Sequence, residues 1–152
     1  MRNEMLTENL LDAWLKLSSV VSNNRLVHGL SFNEAFVLNL LYKQQMSGSE
    51  KKLTATDLCR QTHTLKSQMN AILTSLEKRQ LILRHRSQED RRQIAVEMNP
   101  DGMDVFMECH ERSLALVEGV LQKVGPEEGD AAVTMLNKLA DAFEEMLADA
   151  DE

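Results

Sequence analysis

Lys66, Ser67, Gln68, Asn70 and Thr74 set an ammonium, two hydroxyls and two carboxamides along a stretch whose apolar residues recur at helical spacing: Met69, Ile72, Leu73 and Leu76. A helix of this kind buries one side and shows the other. Hydroxyls and carboxamides can donate and accept at base edges, and a helix fits the major groove of duplex DNA, where each base pair presents its own pattern of donors and acceptors. Downstream, Arg84, Arg86, Arg91 and Arg92 bracket the acidic pair Glu89-Asp90. Arginines neutralise phosphates, and an Arg-rich loop can enter the minor groove, whose negative potential deepens where it narrows. The chemistry in view is recognition of a polyanion.

Charge segregation points the same way. Residues 51–98 hold ten basic and five acidic side chains, a net +5 in a chain of net −7. The remainder therefore carries −12. A basic surface on an acidic protein is the footprint of a nucleic-acid partner. The overall −7 leaves open a second reading, a module that binds another protein. An enzyme is not expected: there is no nucleophile–base constellation, no phosphate-cradling glycine loop and no paired carboxylates in a plausible cleft. No cofactor is implied. Cys59 and Cys109 are far apart without CxxC spacing, so neither a disulfide framework nor a zinc knuckle is expected. They read as buried or half-buried thiols, with redox sensing the alternative. Cys59 is the better candidate for that, beside Arg60. Cys109 and His110, adjacent on a helix, point about 100° apart and do not pair as metal ligands.

The surrounding elements must position this island. At 152 residues, with 43% hydrophobic and only 4% aromatic content, the chain suits one mainly helical domain. Residues 5–28 show a helical stripe through Leu6, Leu10, Trp14, Leu17 and Val21. Ser31-Phe32-Asn33-Glu34 is a capping box opening a second helix. Leu53 belongs to a very short strand, and Thr54 to Asp57 form another capping box for a short helix to about residue 61. A turn at Thr62-His63-Thr64 leads to the helix at residues 65–79. Two apolar runs around a charged tip at residues 87–91 then make a hairpin, with Ile94, Val96 and Met98 facing one way and Ala95 and Glu97 the other. Helix-turn-helix followed by a hairpin is a winged pattern. Asn99-Pro100-Asp101 starts the next helix. There Met103, Met107, His110, Leu114, Val117, Leu121 and Val124 alternate at four and three, as do Ala132, Leu136, Leu139, Phe143, Met146 and Ala150 after Gly125-Pro126. Such seams predict a helical dimerisation scaffold, with an intramolecular hairpin in a monomer as the alternative. The fold class expected is mainly α with a small β wing: a winged helix-turn-helix lobe at 31–98 and a helical dimerisation region at 5–28 and 100–150, together one domain over 1–152.

The run LEKRQLILRHRSQEDRRQIAVEMNPDG, residues 76–102, resembles the signature of the MarR family of winged-helix transcription regulators. That signature joins a Leu-Glu-Lys helix end to an apolar-apolar-x-Arg strand, an Asp-x-Arg wing and a Leu-Thr-x-x-Gly helix start. Asp90-Arg91-Arg92 supplies the wing element, and Met98 to Gly102 replaces the helix start. SQMNAILTSLEKR is similar to the family's recognition helix, and the likeness covers nearly the whole chain. Gln80 stands where a glycine is usual, so the turn there is expected to do without left-handed geometry.

The resemblance implies a homodimer binding a palindromic double-stranded DNA operator, usually as a repressor, and released by a small-molecule, metal or oxidant effector. Carried over by position, Lys66, Ser67, Gln68, Asn70 and Thr74 would face the major groove. Arg92 would enter the minor groove, oriented by Asp90, and Arg84, Arg86 and Arg91 would contact phosphates. The first and last two helices would form the interface, with Leu10, Trp14, Leu114, Val117, Leu121, Leu139 and Phe143 on the seam. Trp14, His28, Phe32, Phe36 and Tyr42 are candidates to line an effector pocket, although helix-spaced aromatics also serve as core. No metal site is expected, and the first helix lacks the cysteine of the family's peroxide sensors. No apolar run approaches the roughly 20 residues of a membrane helix, and the N-terminus lacks a signal-peptide layout, so a cytoplasmic location is expected.

Overall fold

A computed structural model describes residues 2–23 and 29–150. His28 and the last residues of the expected first helix lie outside the described residues. The first helix, α1 (Arg2–Asn23), is followed by α2 (Phe32–Met46). The expected box caps α2: the Glu34 N–H donates to Ser31 Oγ at 3.2 Å, and the Ser31 N–H donates to Glu34 Oε2 at 2.9 Å. Strand β1 (Leu53–Thr54) runs straight into α3 (Ala55–Thr62), where Thr54 and Asp57 cap each other in the same way at 3.1 and 2.9 Å. Burial pulls the Asp57 carboxyl upward. Hydrogen bonds with Thr54, and the charge and hydrogen bond of Arg60, outweigh that and hold it below its ordinary value.

His63 ends α3 in the left-handed region at φ 53° and turns the chain into α4 (Lys66–Lys78). The hairpin β2 (Ile82–Arg86) and β3 (Ile94–Met98) follows, then a 3-10 turn at Pro100–Gly102, α5 (Met103–Val124) and α6 (Pro126–Ala150). The strands form an antiparallel sheet in the order β1-β3-β2, with Arg84 opposite Val96 and Thr54 opposite Ala95. The architecture is mainly helical with a small wing.

The described chain falls into two compact units, Met1–Ser113 and Leu114–Glu152. The first has a core of Val37, Leu38 and Leu41 from α2, Leu58 from α3, Met69, Leu73 and Leu76 from α4, Leu81, Ile82, Val96 and Met98 from the hairpin, and Phe106 from α5. Met103, Met107 and Cys109 pack against that core. In the second unit, Leu121 near the end of α5 lies over Gly129 in the first turn of α6.

One expectation is corrected, and one residue is more buried than the alternation required: Ala95, on the opposite side of β3 from Val96, is buried as well. It sits on the central strand, paired with Thr54 of β1 on one side and His85 of β2 on the other. Gln80, expected to avoid the left-handed region, occupies it at φ 59°. The reason is the end of α4: the Gln80 N–H donates to Glu77 O at 2.9 Å and the Leu81 N–H to Leu76 O at 3.0 Å. This bond pair closes a helix through a left-handed residue, and Leu81 buried with Leu76 completes the motif.

Candidate nucleic-acid interface

The polar residues expected to meet base edges lie on α4. Its inner side, Met69, Leu73 and Leu76, is buried in the lobe core, which fixes its rotation. The outer side is then forced: Lys66, Ser67, Gln68, Asn70, Ala71, Thr74 and Lys78 are all exposed. Gln68 Oε1 accepts the Leu65 N–H at 3.4 Å, so this carboxamide closes the helix start where Leu65 offers no acceptor. No acid lies in the first turn, leaving Lys66 at the positive pole of the helix dipole.

The hairpin is tied to α4. The Arg84 guanidinium straddles the Glu77 carboxylate, Nε to Oε2 at 3.2 Å and Nη2 to Oε1 at 3.0 Å, and Nη2 also donates to Thr74 Oγ1 at 3.4 Å. This paired hydrogen bonding holds the Glu77 carboxyl below its ordinary value and raises Arg84 above its own. At the tip, Arg86 Nη1 donates to the Arg91 carbonyl at 2.9 Å. Asp90 Oδ1 accepts the Arg92 N–H at 3.0 Å, and the Arg92 Nε lies 3.6 Å from the same oxygen. Asp90 thus shapes the loop through the backbone, and the Arg92 side chain is 94% exposed.

The basic island divides by use. Lys52 pairs with Glu97, Arg60 with Asp57, Arg84 with Glu77, and Arg79 lies 3.7 Å from Glu34. Among the described residues, Lys51, Lys66, Lys78, Arg86 and Arg91 form no ion pair, although Arg86 is held by the Arg91 carbonyl. On α4 and the wing tip, Lys66, Lys78, Arg91 and Arg92 are the cations most open to a polyanion.

A cavity of about 290 Å³ opens between the start of α2 and α5. Leu30, Phe32, Ala35, Phe36 and Asn39 line one side; Phe106, Cys109, His110 and Ser113 line the other. Of the residues expected there, Phe32 and Phe36 are in the wall, with ring centroids 6.1 Å apart. Tyr42 stands behind it, packed on Phe106 at 5.0 Å and His110 at 5.5 Å. Trp14 is not in the wall; it is exposed on α1. Sequence reading missed Phe106 and His110, which stack at 5.5 Å. Their spacing of four, continued by Ser113, marks one helix face and was the available signal. The walls are apolar with a few polar groups, the composition of a small-molecule site.

Leu10, Trp14, Leu114, Val117, Leu121 and Phe143 are exposed, and Leu139 is half-buried. Among the described residues no cluster of three or more His, Cys, Asp or Glu side chains has metal-binding geometry, and no helix is long and apolar enough to cross a membrane. Cys59 is half-buried against the core.

The profile of the family described as "Transcriptional regulator SarA/Rot" matches residues 19–109. The chain is similar to the HTH-type transcriptional repressor YetL of Bacillus subtilis, 25% identical over 134 residues that cover 86% of this chain and 76% of YetL. Its fold resembles the S. aureus MepR–DNA complex, with a TM-score of 0.68 at 15% identity over 91% of this chain and 97% of that one. It also resembles PcaV from Streptomyces coelicolor, solved with its natural ligand, with a TM-score of 0.64 at 19% identity over 90% of each chain. With an exposed polar helix, an Asp-x-Arg wing and this profile match, the chain is a MarR-type winged-helix protein and belongs to the SarA/Rot family of transcriptional regulators.

Proposed function

We propose that the protein is a homodimeric repressor that sets one α4 from each copy into successive major-groove turns of a roughly palindromic operator. The observation that carries this is α4 itself: a helix locked by its buried side, with Lys66, Ser67, Gln68, Asn70 and Thr74 on its open side. Asn and Gln read adenine edges, and hydroxyls read several bases. Arg92 enters the minor groove from a loop that Asp90 shapes, and Arg86 and Arg91 stiffen the tip and meet phosphates. Arg84 acts one step back, holding the hairpin to α4 through Glu77.

A second copy covers the exposed apolar rows, with Leu10, Trp14, Leu114, Val117, Leu121, Leu139 and Phe143 in the interface. Twofold symmetry in the protein then asks for a palindrome in the DNA. Repression is the direction named for YetL. The cavity takes a small, mainly apolar effector with a polar group; the similar PcaV was solved with a natural ligand. The protein works where its DNA is, in the cytoplasm.

Selecting genomic fragments with the purified protein across a salt series tests the proposal. An enriched palindrome whose affinity falls steeply with salt is expected. No enrichment at any salt overturns it and favours a winged helix used for protein contacts, which the net charge of −7 would suit.

A further inference from the structure

The cavity wall and the recognition helix share hydrogen bonds. Glu34 lies in the first turn of α2, beside the wall residues Phe32, Ala35 and Phe36, and its side chain is only 13% exposed. Its Oε2 accepts the Ser31 N–H at 2.9 Å and so belongs to the cap of α2. Its Oε1 accepts from Ser75 Oγ on α4 at 2.7 Å. One turn further along α4, Arg79 Nη1 donates to the Gly29 carbonyl at 2.8 Å and lies 3.7 Å from Glu34 Oε2. Gly29 immediately precedes the wall residue Leu30. The wall is thus bracketed by two residues, Gly29 and Glu34, that are both fastened to the C-terminal end of α4, one through Arg79 at its cap and the other through Ser75. That end also carries the exposed Thr74 and Lys78.

We infer that Glu34, with Ser75 and Arg79, is a positioning link that transmits occupancy of the cavity to the angle of α4. A molecule wedged between α2 and α5 displaces the first turn of α2. Glu34 cannot shift without drawing on Ser75 and Arg79, since both of its oxygens are engaged. The shift appears at Thr74 and Lys78 as a helix seated differently for DNA. Coupling of this sort passes through a discrete set of contacts, and severing them should uncouple the two sites while leaving each intact. The final step, from α4 to DNA affinity, rests on the reading of the chain as a DNA-binding regulator.

Filling the cavity by mutation tests the link without knowing the effector. Ala35→Leu adds bulk at the wall; Ser75→Ala with Arg79→Met cuts the link. Two quantities are compared in the native and cut backgrounds: affinity for a genomically selected, fluorescent operator fragment, and hydrogen exchange of the α4 amides without DNA. In the native background Ala35→Leu should weaken DNA binding about tenfold, within the usual range of allosteric coupling, and speed α4 exchange. In the cut background its effect should fall below about twofold, with α4 exchange unmoved and thermal midpoints comparable. Equal effects in both backgrounds, or no effect on α4 in the native one, overturn the inference. If the doubly cut protein does not fold, Ser75→Ala and Arg79→Met are made singly: each removes one of the two fastenings, leaves the cap of α2 in place and should reduce the effect of Ala35→Leu. Should the protein bind no DNA, the regulator reading fails at that point, while α4 exchange still decides the link by itself.

Discussion

At the scale of single residues, cations of equal formal charge have different duties. Arg84 and Arg92 belong to the same hairpin, yet one is clamped on Glu77 and the other stands in solvent. Arg92→Ala should therefore weaken operator binding by roughly 1–3 kcal/mol while leaving unfolding unchanged. Titrating a labelled operator fragment measures the first and urea unfolding the second; unchanged affinity would remove Arg92 from the interface. Glu77→Gln should behave otherwise. Hydrogen bonds from Arg84 hold the Glu77 carboxyl below its ordinary value, so its folded pKa is depressed relative to the unfolded chain. Stability from such a group is present above the unfolded value and is lost as pH falls through the folded one. The native protein should exceed Glu77→Gln in urea midpoint near neutral pH, and the gap should close in acid, below the carboxylate range. A gap that persists unchanged in acid would mean that the carboxylate charge is not what joins the wing to α4.

At the scale of elements, the exit from α4 shows how a departure from a signature is accommodated. Gln80 takes the left-handed conformation that a glycine would take more easily. Gly102, starting the next helix, lies directly against it: a Cβ there would come within 2.4 Å of the Gln80 carbonyl oxygen and 2.9 Å of Leu81 Cα. The Asn99 N–H donates to Leu81 O at 3.0 Å and fastens the same junction. Gln80→Gly should raise stability by about 1 kcal/mol by relieving the left-handed strain. Gly102→Ala should lower it by roughly 1–3 kcal/mol through overpacking against the backbone. Urea unfolding of the two variants reads both, and a neutral Gly102→Ala would refute the close approach. Much of this level was legible in the chain. The capping boxes at Ser31 and Thr54, the Asn99-Pro100 start and the alternating hairpin are local signals, and each element formed where its signal stood. What was not legible depends on residues distant in sequence. Ala95 is on the central strand because β1 pairs with β3. The cavity recruits Phe106 and His110 because α5 crosses the start of α2. Glu77 meets Arg84 because the hairpin folds back on α4.

At the scale of the whole molecule, the apolar surface is in the wrong place for a chain alone in water. Among the described residues, twenty of the twenty-five exposed large apolar side chains lie on α1 or beyond residue 113. The seven-residue seam of α5 passes through two environments. Met103 and Met107 pack against the lobe core, whereas Leu114, Val117, Leu121 and Val124 are exposed on the same alternation. Helices of this length draw their stability from burying an apolar face, and monomers rarely leave such rows to solvent. A symmetric partner that covers them would bury the roughly 1,200–2,000 Å² of a stable interface and make folding and association one process. Leu114→Asp sets a charge in the exposed row, at a residue that is not part of the lobe core, so it should dissociate or unfold the assembly while sparing the contacts of the winged lobe. Sedimentation of the variant is the direct measurement, and a monodisperse dimer would move the interface elsewhere. The native protein supplies the complementary one. If association and folding are coupled, its thermal midpoint must rise with protein concentration, whereas a midpoint independent of concentration belongs to a monomer whose exposed rows need no partner.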